Sequence, residues 1–318
     1  MRKTVVRTVL FLLPLLLAAW VLGLAFAPKD NLRTAGMQET DPLPILSQPE
    51  NSLDAVFLGD SEAYSGFVPL ELWEQQGIAS FVCASVDQKP YETVEFLKTA
   101  LERQRPQLVI LETNVLYRAY ATQDLLTPML QKAFPVLRYH SNWTTYTLED
   151  LLKAPDYQGA YPDRGYHLLT KIDPVEDLTG YMAPTQDREA ITGRNLRSLE
   201  TIAALCREHG AELVLFSIPS PENWSMARHN TVADLAEQMG LRYLDGNLLP
   251  LDMDWSTDTC DRGDHLNYTG AAKVTRWLGR WMAQEASLPD HRGDPAYAAW
   301  DTDLQTFPQR LAESRGQH

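Results

Sequence analysis

The sequence predicts an α/β protein: a doubly wound, mostly parallel sheet behind one membrane-length N-terminal helix. Three observations predict it. From residue 51 onward, short apolar β-forming runs alternate with helix-patterned segments, the pattern of a parallel sheet with helices on both faces. Polar stretches carrying Gly, Asp and Ser fall just after those runs, where such sheets bind ligands. Finally, the twenty residues Thr8 to Ala27 carry no charge and are dominated by Leu, Val, Ala and Phe.

In a helix, twenty residues rise about 30 Å, the hydrocarbon thickness of a bilayer. Arg2, Lys3 and Arg7 precede the stretch and Trp20 lies within it. Cations before a first span favour an inside N-terminus, so the body from Pro28 is expected outside the cytoplasm on a single-pass cell-membrane anchor. A cleaved signal peptide is the rival. Ala25-Phe26-Ala27 has the small-x-small pattern, but Pro28 would follow the cut, and the apolar stretch exceeds the usual signal core. Residues 1–28 are read as the anchor. Residues 29–50, polar and proline-bearing, are read as a linker.

The α/β domain is expected over 51–285. Strand runs are Asp54–Leu58, Ala79–Ala84, Gln107–Glu112, Ala211–Ile218 and the short Leu241–Leu244. Helical spacing appears over Tyr91–Arg103, Asn195–His209, Val232–Met239 and Thr269–Ala283, the second and third closed by Gly210 and Gly240. Between 118 and 193 the alternation stops. That stretch, rich in Tyr, Asp and Pro, is read as an insertion. The tail 286–318 is polar with isolated aromatics and is expected to wrap the periphery.

The formal net charge is −14, and setting aside Arg2, Lys3 and Arg7 leaves −17. So acidic a body disfavours nucleic acid and a broad anionic-lipid landing surface. Cys83, Cys206 and Cys260 are far apart, with no CxxC, and read as buried thiols, although one disulfide pair plus a free thiol stays open. His140, His167, His209 and His229 show no metal-ligand spacing, so neither a metal nor another cofactor is expected.

Two motifs carry possible chemistry. Gly59-Asp60-Ser61-Glu62 directly follows the first strand. A serine on a strand-to-helix turn stands clear of the sheet, and the turn's N–H groups can hold an oxyanion. Alone, the tripeptide is more readily a helix cap than a catalytic turn. The second motif, Asp261-Arg262-Gly263-Asp264-His265-Leu266-Asn267-Tyr268-Thr269-Gly270, enters the last helix. A His beside Asp residues can form the base and orienter that activate a serine.

In order and spacing these two motifs resemble the SGNH (GDSL-type) hydrolase superfamily over roughly residues 50 to 285. The anchor, the His265-Leu266-Asn267 phrase with Gly270, and the long insertion are similar to its membrane-anchored, extracytoplasmic branch, which includes alginate O-acetylation and teichoic-acid D-alanylation proteins. The resemblance implies a flavodoxin-like three-layer sandwich, with Ser61 as nucleophile and His265 as base. The family's orienting acid sits three residues before the histidine, where this chain has Arg262. Asp261 is therefore favoured, with Asp264 as alternative. Oxyanion donors by resemblance are the Ser61 N–H, Asn114 after the third strand and, in place of a glycine, Ala84 or Ser85.

That branch implies an O-acyl (acetyl-type) transferase or esterase acting on a cell-envelope polysaccharide or polymer. A membrane-bound O-acyltransferase is the implied partner. The alternative is an inactive SGNH-like scaffold that binds such a polymer or partner, motivated by Arg262 and the missing glycine. Arg138, His140 and Trp143 in the insertion combine charge and aromaticity suited to a carbohydrate groove, although packing is the commoner role for such a tryptophan. Pro219 to Trp224 follows the fourth strand and is expected to border the same cleft.

Overall fold

The computed structural model describes residues 2–29, 43–144, 146–154, 156 and 161–316. The chain divides into two compact units. The larger holds the sheet and comprises residues 39–118 and 160–318; the smaller comprises 1–38 and 119–159.

Five strands build one all-parallel sheet: β1 (Ala55–Gly59), β2 (Ser80–Ala84), β3 (Leu108–Glu112), β4 (Glu212–Ser217) and β5 (Arg242–Asp245). Their order is β2-β1-β3-β4-β5, the flavodoxin-like doubly wound order. Every residue of β1 and β3 is buried, which explains why these strands are continuous apolar runs rather than alternating ones. In register, Gly59 faces Ala84, and Glu112 faces Phe216. Each expected strand forms, trimmed by one residue or shifted by one at its ends.

Helices of the larger unit are α2 (Ser61–Gly66), α3 (Pro69–Gln76), α4 (Pro90–Arg103), α8 (Gly193–Glu208), α9 (Met226–Met239), α10 (Tyr268–Trp281) and α11 (Ala298–Arg315). α8 buries Leu199, Ile202, Ala203 and Cys206, the face its spacing predicts. α9 starts six residues earlier than its apolar spacing suggests, because Ser225 caps it by accepting from the Arg228 N–H. Asn267 caps α10 by accepting from Thr269 and Gly270. Thr275 of α10 then accepts from the Val68 N–H at 3.0 Å, joining the end of the domain to its start.

Four features differ from expectation or go beyond it. The linker is not polar throughout: Leu43–Ser47 forms a 3₁₀ turn that buries Ile45 and Leu46. The tail forms α11, which buries Trp300 and Phe307. Trp73 stacks on Trp300 at 5.3 Å, and its indole N–H donates to Asp301. The insertion is divided. Residues 161–192 run along the sheet domain, with the Arg262 N–H donating to Asp173 and Asn267 Nδ2 to the Lys171 carbonyl. Residues 119–156 instead form three short helices, α5 (Thr122–Ala133), α6 (Val136–Tyr139) and α7 (Leu148–Leu152), in the smaller unit with α1 (Arg2–Phe26). Cys83, Cys206 and Cys260 are all free and buried, and burial pushes the Cys206 and Cys260 thiols up to about 12.

Candidate active site

β1 ends at Gly59, where the chain needs a glycine. Its φ is +156°, and a Cβ there would lie 2.7 Å from both Ala63 Cβ and Glu112 Cβ. Asp60 follows as N-cap of α2, its Oδ1 accepting from the Glu62 N–H at 3.0 Å. Ser61 is the first residue of α2, so its own N–H is one of the helix's orphan donors. Its hydroxyl makes no hydrogen bond to another described residue, whereas its carbonyl accepts from Ser65 Oγ.

His265 sits on the loop before α10. Nδ1 lies 2.5 Å from Asp261 Oδ2, and the His265 N–H donates to Asp261 Oδ1 at 2.6 Å. A carboxylate can only accept, so Nδ1 carries the proton and Nε2 presents its lone pair. Nε2 is buried and has no hydrogen-bond partner among the described residues. Gly263, at φ +99°, supplies the tight turn that brings a residue four positions back onto the ring. Asp264 Oδ1 lies 3.6 Å from Nδ1 and is engaged elsewhere, accepting from Asn223 Nδ2 at 2.5 Å. Burial alone would lower the His265 pKa. The Asp261 hydrogen bond and the charges of Asp264, Asp261 and Asp60 outweigh it and raise the value above the ordinary imidazole range. Burial would raise Asp261, but its two bonds from His265 bring it below the usual carboxylate range.

Asn223 ties the two motifs together. Its amide donates to Glu62 Oε1 at 2.8 Å, next to Ser61, and to Asp264 Oδ1, next to His265. The residue lies in the Pro219–Trp224 stretch after β4. Ser220 in the same stretch donates to the Gly263 carbonyl at 2.8 Å, holding the histidine loop.

Behind the serine three buried carboxyls, Asp60, Glu62 and Glu112, share one guanidinium, that of Arg118, which pairs with Asp60. Burial, then the neighbouring Glu112 and Asp60 charges, pushes Glu62 well above its ordinary value. Burial and Asp60 do the same to Glu112. Glu112 ends β3 and accepts from the Asn114 N–H at 2.7 Å, which forms the turn bearing that asparagine.

The Asn114 amide has a defined orientation. Arg228 donates to its Oδ1 at 3.0 Å, and arginine can only donate. The NH₂ must therefore face the other way, toward Asp60 Oδ2 at 3.4 Å, on the serine side. Arg228 is itself held by Glu189 and stacked over Tyr117. Ala84, beside Gly59 across the β1–β2 ladder, stands at the end of β2. Ser85 is buried and turns its hydroxyl to Gln88.

The structure places Asp261 and Asp264 beside His265, links that loop through Asn223 to Glu62, the neighbour of Ser61, and turns the Asn114 amide toward Asp60, its other neighbour. Arg138 and His140 are in the smaller unit, both exposed, and the side chain of Trp143 lies outside the described residues. Asn223, Arg118, Arg228 and the buried pair Glu62 and Glu112 were not singled out in the sequence as members of the site. Asp261, Asp264 and His265 also form a group whose ligand atoms lie within 4.8 Å of one another, but His265 Nδ1 already bonds Asp261.

No protein-family model matches the chain, and no curated protein is matched. Solved structures similar to it include a GDSL-like lipase from Bacteroides thetaiotaomicron, at TM-score 0.41 and 10% identity over 78% of this chain and 100% of that one. A lipase/acylhydrolase from Enterococcus faecalis gives TM-score 0.40 and 11% identity over 75% and 98%. A variant of an acetyl-xylooligosaccharide esterase from Geobacillus gives 0.37 and 13% over 74% and 96%.

Proposed function

We propose that the chain is an SGNH-type serine enzyme that moves an acyl group of acetyl type onto or off a cell-envelope polysaccharide or polymer, outside the cytoplasm, from an N-terminal membrane anchor. The observation carrying this reading is the pair of reacting atoms without a partner among the described residues. Ser61 Oγ makes no hydrogen bond there, and His265 Nε2 is buried and bare with its opposite nitrogen held by Asp261.

Ser61 Oγ attacks the acyl carbon as its proton passes to His265 Nε2. The carbonyl electron pair moves to oxygen, where the Ser61 N–H and Asn114 Nδ2 are the donors for it. The intermediate collapses, and the leaving alcohol takes the proton from His265. The resulting acyl-serine is attacked by an acceptor hydroxyl, which gives its proton to His265 and then receives the acyl group as Ser61 is reprotonated. Asp261 holds the imidazole in the required tautomer and stabilises the imidazolium. A sugar hydroxyl as acceptor makes the reaction a transfer; water makes it hydrolysis. The anchor and the motif resemblance favour transfer, with a membrane-bound O-acyltransferase as the supplying partner.

A fluorophosphonate probe tests the reading. It is expected to label the wild-type protein at Ser61, and Ser61→Ala is expected to abolish both labelling and surface acylation. An unlabelled, folded wild type with surface acylation unchanged in Ser61→Ala would instead mark an SGNH-like scaffold.

A further inference from the structure

The smaller unit is built around the far end of α1. Val6–Phe26 is apolar enough to cross a membrane, with mean hydropathy 2.6. Its 21 residues rise about 31 Å, one hydrocarbon core. At Gly23 there is no room for a side chain, because a Cβ would lie 2.5 Å from the Val136 backbone N at the start of α6. Asn142 Nδ2 donates to the Phe26 carbonyl at 2.9 Å, and the Asp156 N–H to the Lys29 carbonyl at 2.7 Å. Lys29 folds back to donate to the Leu24 carbonyl, a cation closing the helix C-terminus. Residues 136–156 therefore grip α1 over 23–29, within about 5 Å of where a span of this length leaves the hydrocarbon.

The same segment is where the protein exposes large apolar side chains. Outside α1, ten described residues do so, and six of them fall within 126–152. They are Leu126, Met129 and Leu130 on α5, Leu137 on α6, and Leu148 and Leu152 on α7. The spacing is helical: i, i+3, i+4 on α5 and i, i+4 on α7, so each helix turns one apolar face outward. Leu148 and Leu152 are 82% and 88% exposed, far beyond what a water-facing helix needs.

We propose that α5, α6 and α7 form a collar seated in the bilayer interface around the exit end of α1, with these six side chains in contact with lipid. The occupant is lipid because α6 and the residues around α7 are held against the end of an apolar span, which sets their exposed apolar side chains at the depth where interfacial helices lie. Among the described side chains the collar carries Arg138 and Lys153 against Asp124, Glu149, Asp150 and Asp156, so seating relies on apolar burial and not on charge. The inference rests on α1 being a retained membrane span.

The test uses the full-length protein in phosphatidylcholine vesicles, with an environment-sensitive thiol label at one introduced cysteine. Met129→Cys and Leu152→Cys report on the collar, Leu16→Cys on the span, and Leu248→Cys on the sheet domain. The native thiols are buried. Labels at 129 and 152 are expected to shift to the blue and to lose more than half their emission to a shallow nitroxide lipid. The label at 16 responds to a deep nitroxide and that at 248 to neither. Labels at 129 and 152 quenched only by aqueous iodide, with 16 still lipid-protected, overturn the collar and leave the span standing; such a result would fit a protein partner on those faces. Aqueous quenching at 16 as well overturns both.

Discussion

Two groups of acidic residues flank the reacting pair, and they behave in opposite ways. Behind Ser61, Asp60, Glu62 and Glu112 are buried together with one arginine, and burial drives Glu62 and Glu112 toward the protonated form. Beside His265, Asp261 and Asp264 are only partly buried. Asp261 is bonded twice to the histidine and is driven toward the charged form. Burial thus favours the protonated form of Glu62 and Glu112 on the Ser61 side, where Arg118 pairs with Asp60, and hydrogen bonding favours the charged form of Asp261 on the His265 side. Asp60, next to Ser61, is matched by the Arg118 guanidinium, and unmatched charge on Glu62 or Glu112 would oppose the proposed oxyanion. An anion at Nδ1 supports the imidazolium.

The largest effect expected from this contrast is at Asp261. Asp261→Asn is expected to lower kcat/KM by on the order of 10²–10⁴, because the wrong tautomer becomes available. Asp264→Asn, whose carboxylate bonds Asn223, should cost less than about tenfold. Equal losses in the two variants would mean that the orienting role is shared. The pH profile sharpens the point. His265 must be neutral to act as base, and its pKa is raised, so the acid limb of kcat/KM should lie above the ordinary imidazole range. Activity then falls as pH drops through that limb, and Asp261→Asn should move the limb downward.

Next in size, Asn114→Ala is expected to lower kcat by about 10²-fold with KM little changed, the signature of a donor used in the transition state. The smallest effect concerns stability. A carboxyl whose folded pKa is raised binds its proton more tightly in the folded state. Stability is then lost as pH climbs from the ordinary glutamate value toward the raised one. Each such group contributes a slope of up to about 1.4 kcal/mol per pH unit in that window. Glu112→Gln should flatten the decline in urea midpoint between mildly acidic and neutral pH; an unchanged decline would show that Glu112 is ionised when folded.

The sheet was legible in the sequence because its strands are buried on both faces and so read as unbroken apolar runs, Ala55–Gly59 and Leu108–Glu112 above all. Ser61, Asp261, Asp264 and His265 were legible because they fall within two contiguous stretches at a strand end and a helix start. Asn223 and Arg228 were not. Each acts through partners far away in the chain, Glu62 for one and Asn114 for the other, and only the place of Asn223 in the Pro219–Trp224 stretch after the fourth strand pointed toward the cleft. Glu112 was read as the end of a strand; only the approach of Gly59 and Asp60 gives it a chemical environment. α11 escaped notice because its burial rests on two aromatics, Trp300 and Phe307, without a repeating apolar stripe.

The join between the two ends of the domain, where Thr275 of α10 receives the Val68 N–H, bears on the order in which the protein is made. Ser61 is synthesised about 200 residues before His265, its proposed base. Until α10 docks beside α2 and α3, Ser61 has no partner to take its proton. A chain still emerging from the ribosome, or threading outward behind its own N-terminal helix, holds a serine without a base. On the proposed function, competence toward esters follows only once both ends of the domain have been made and joined.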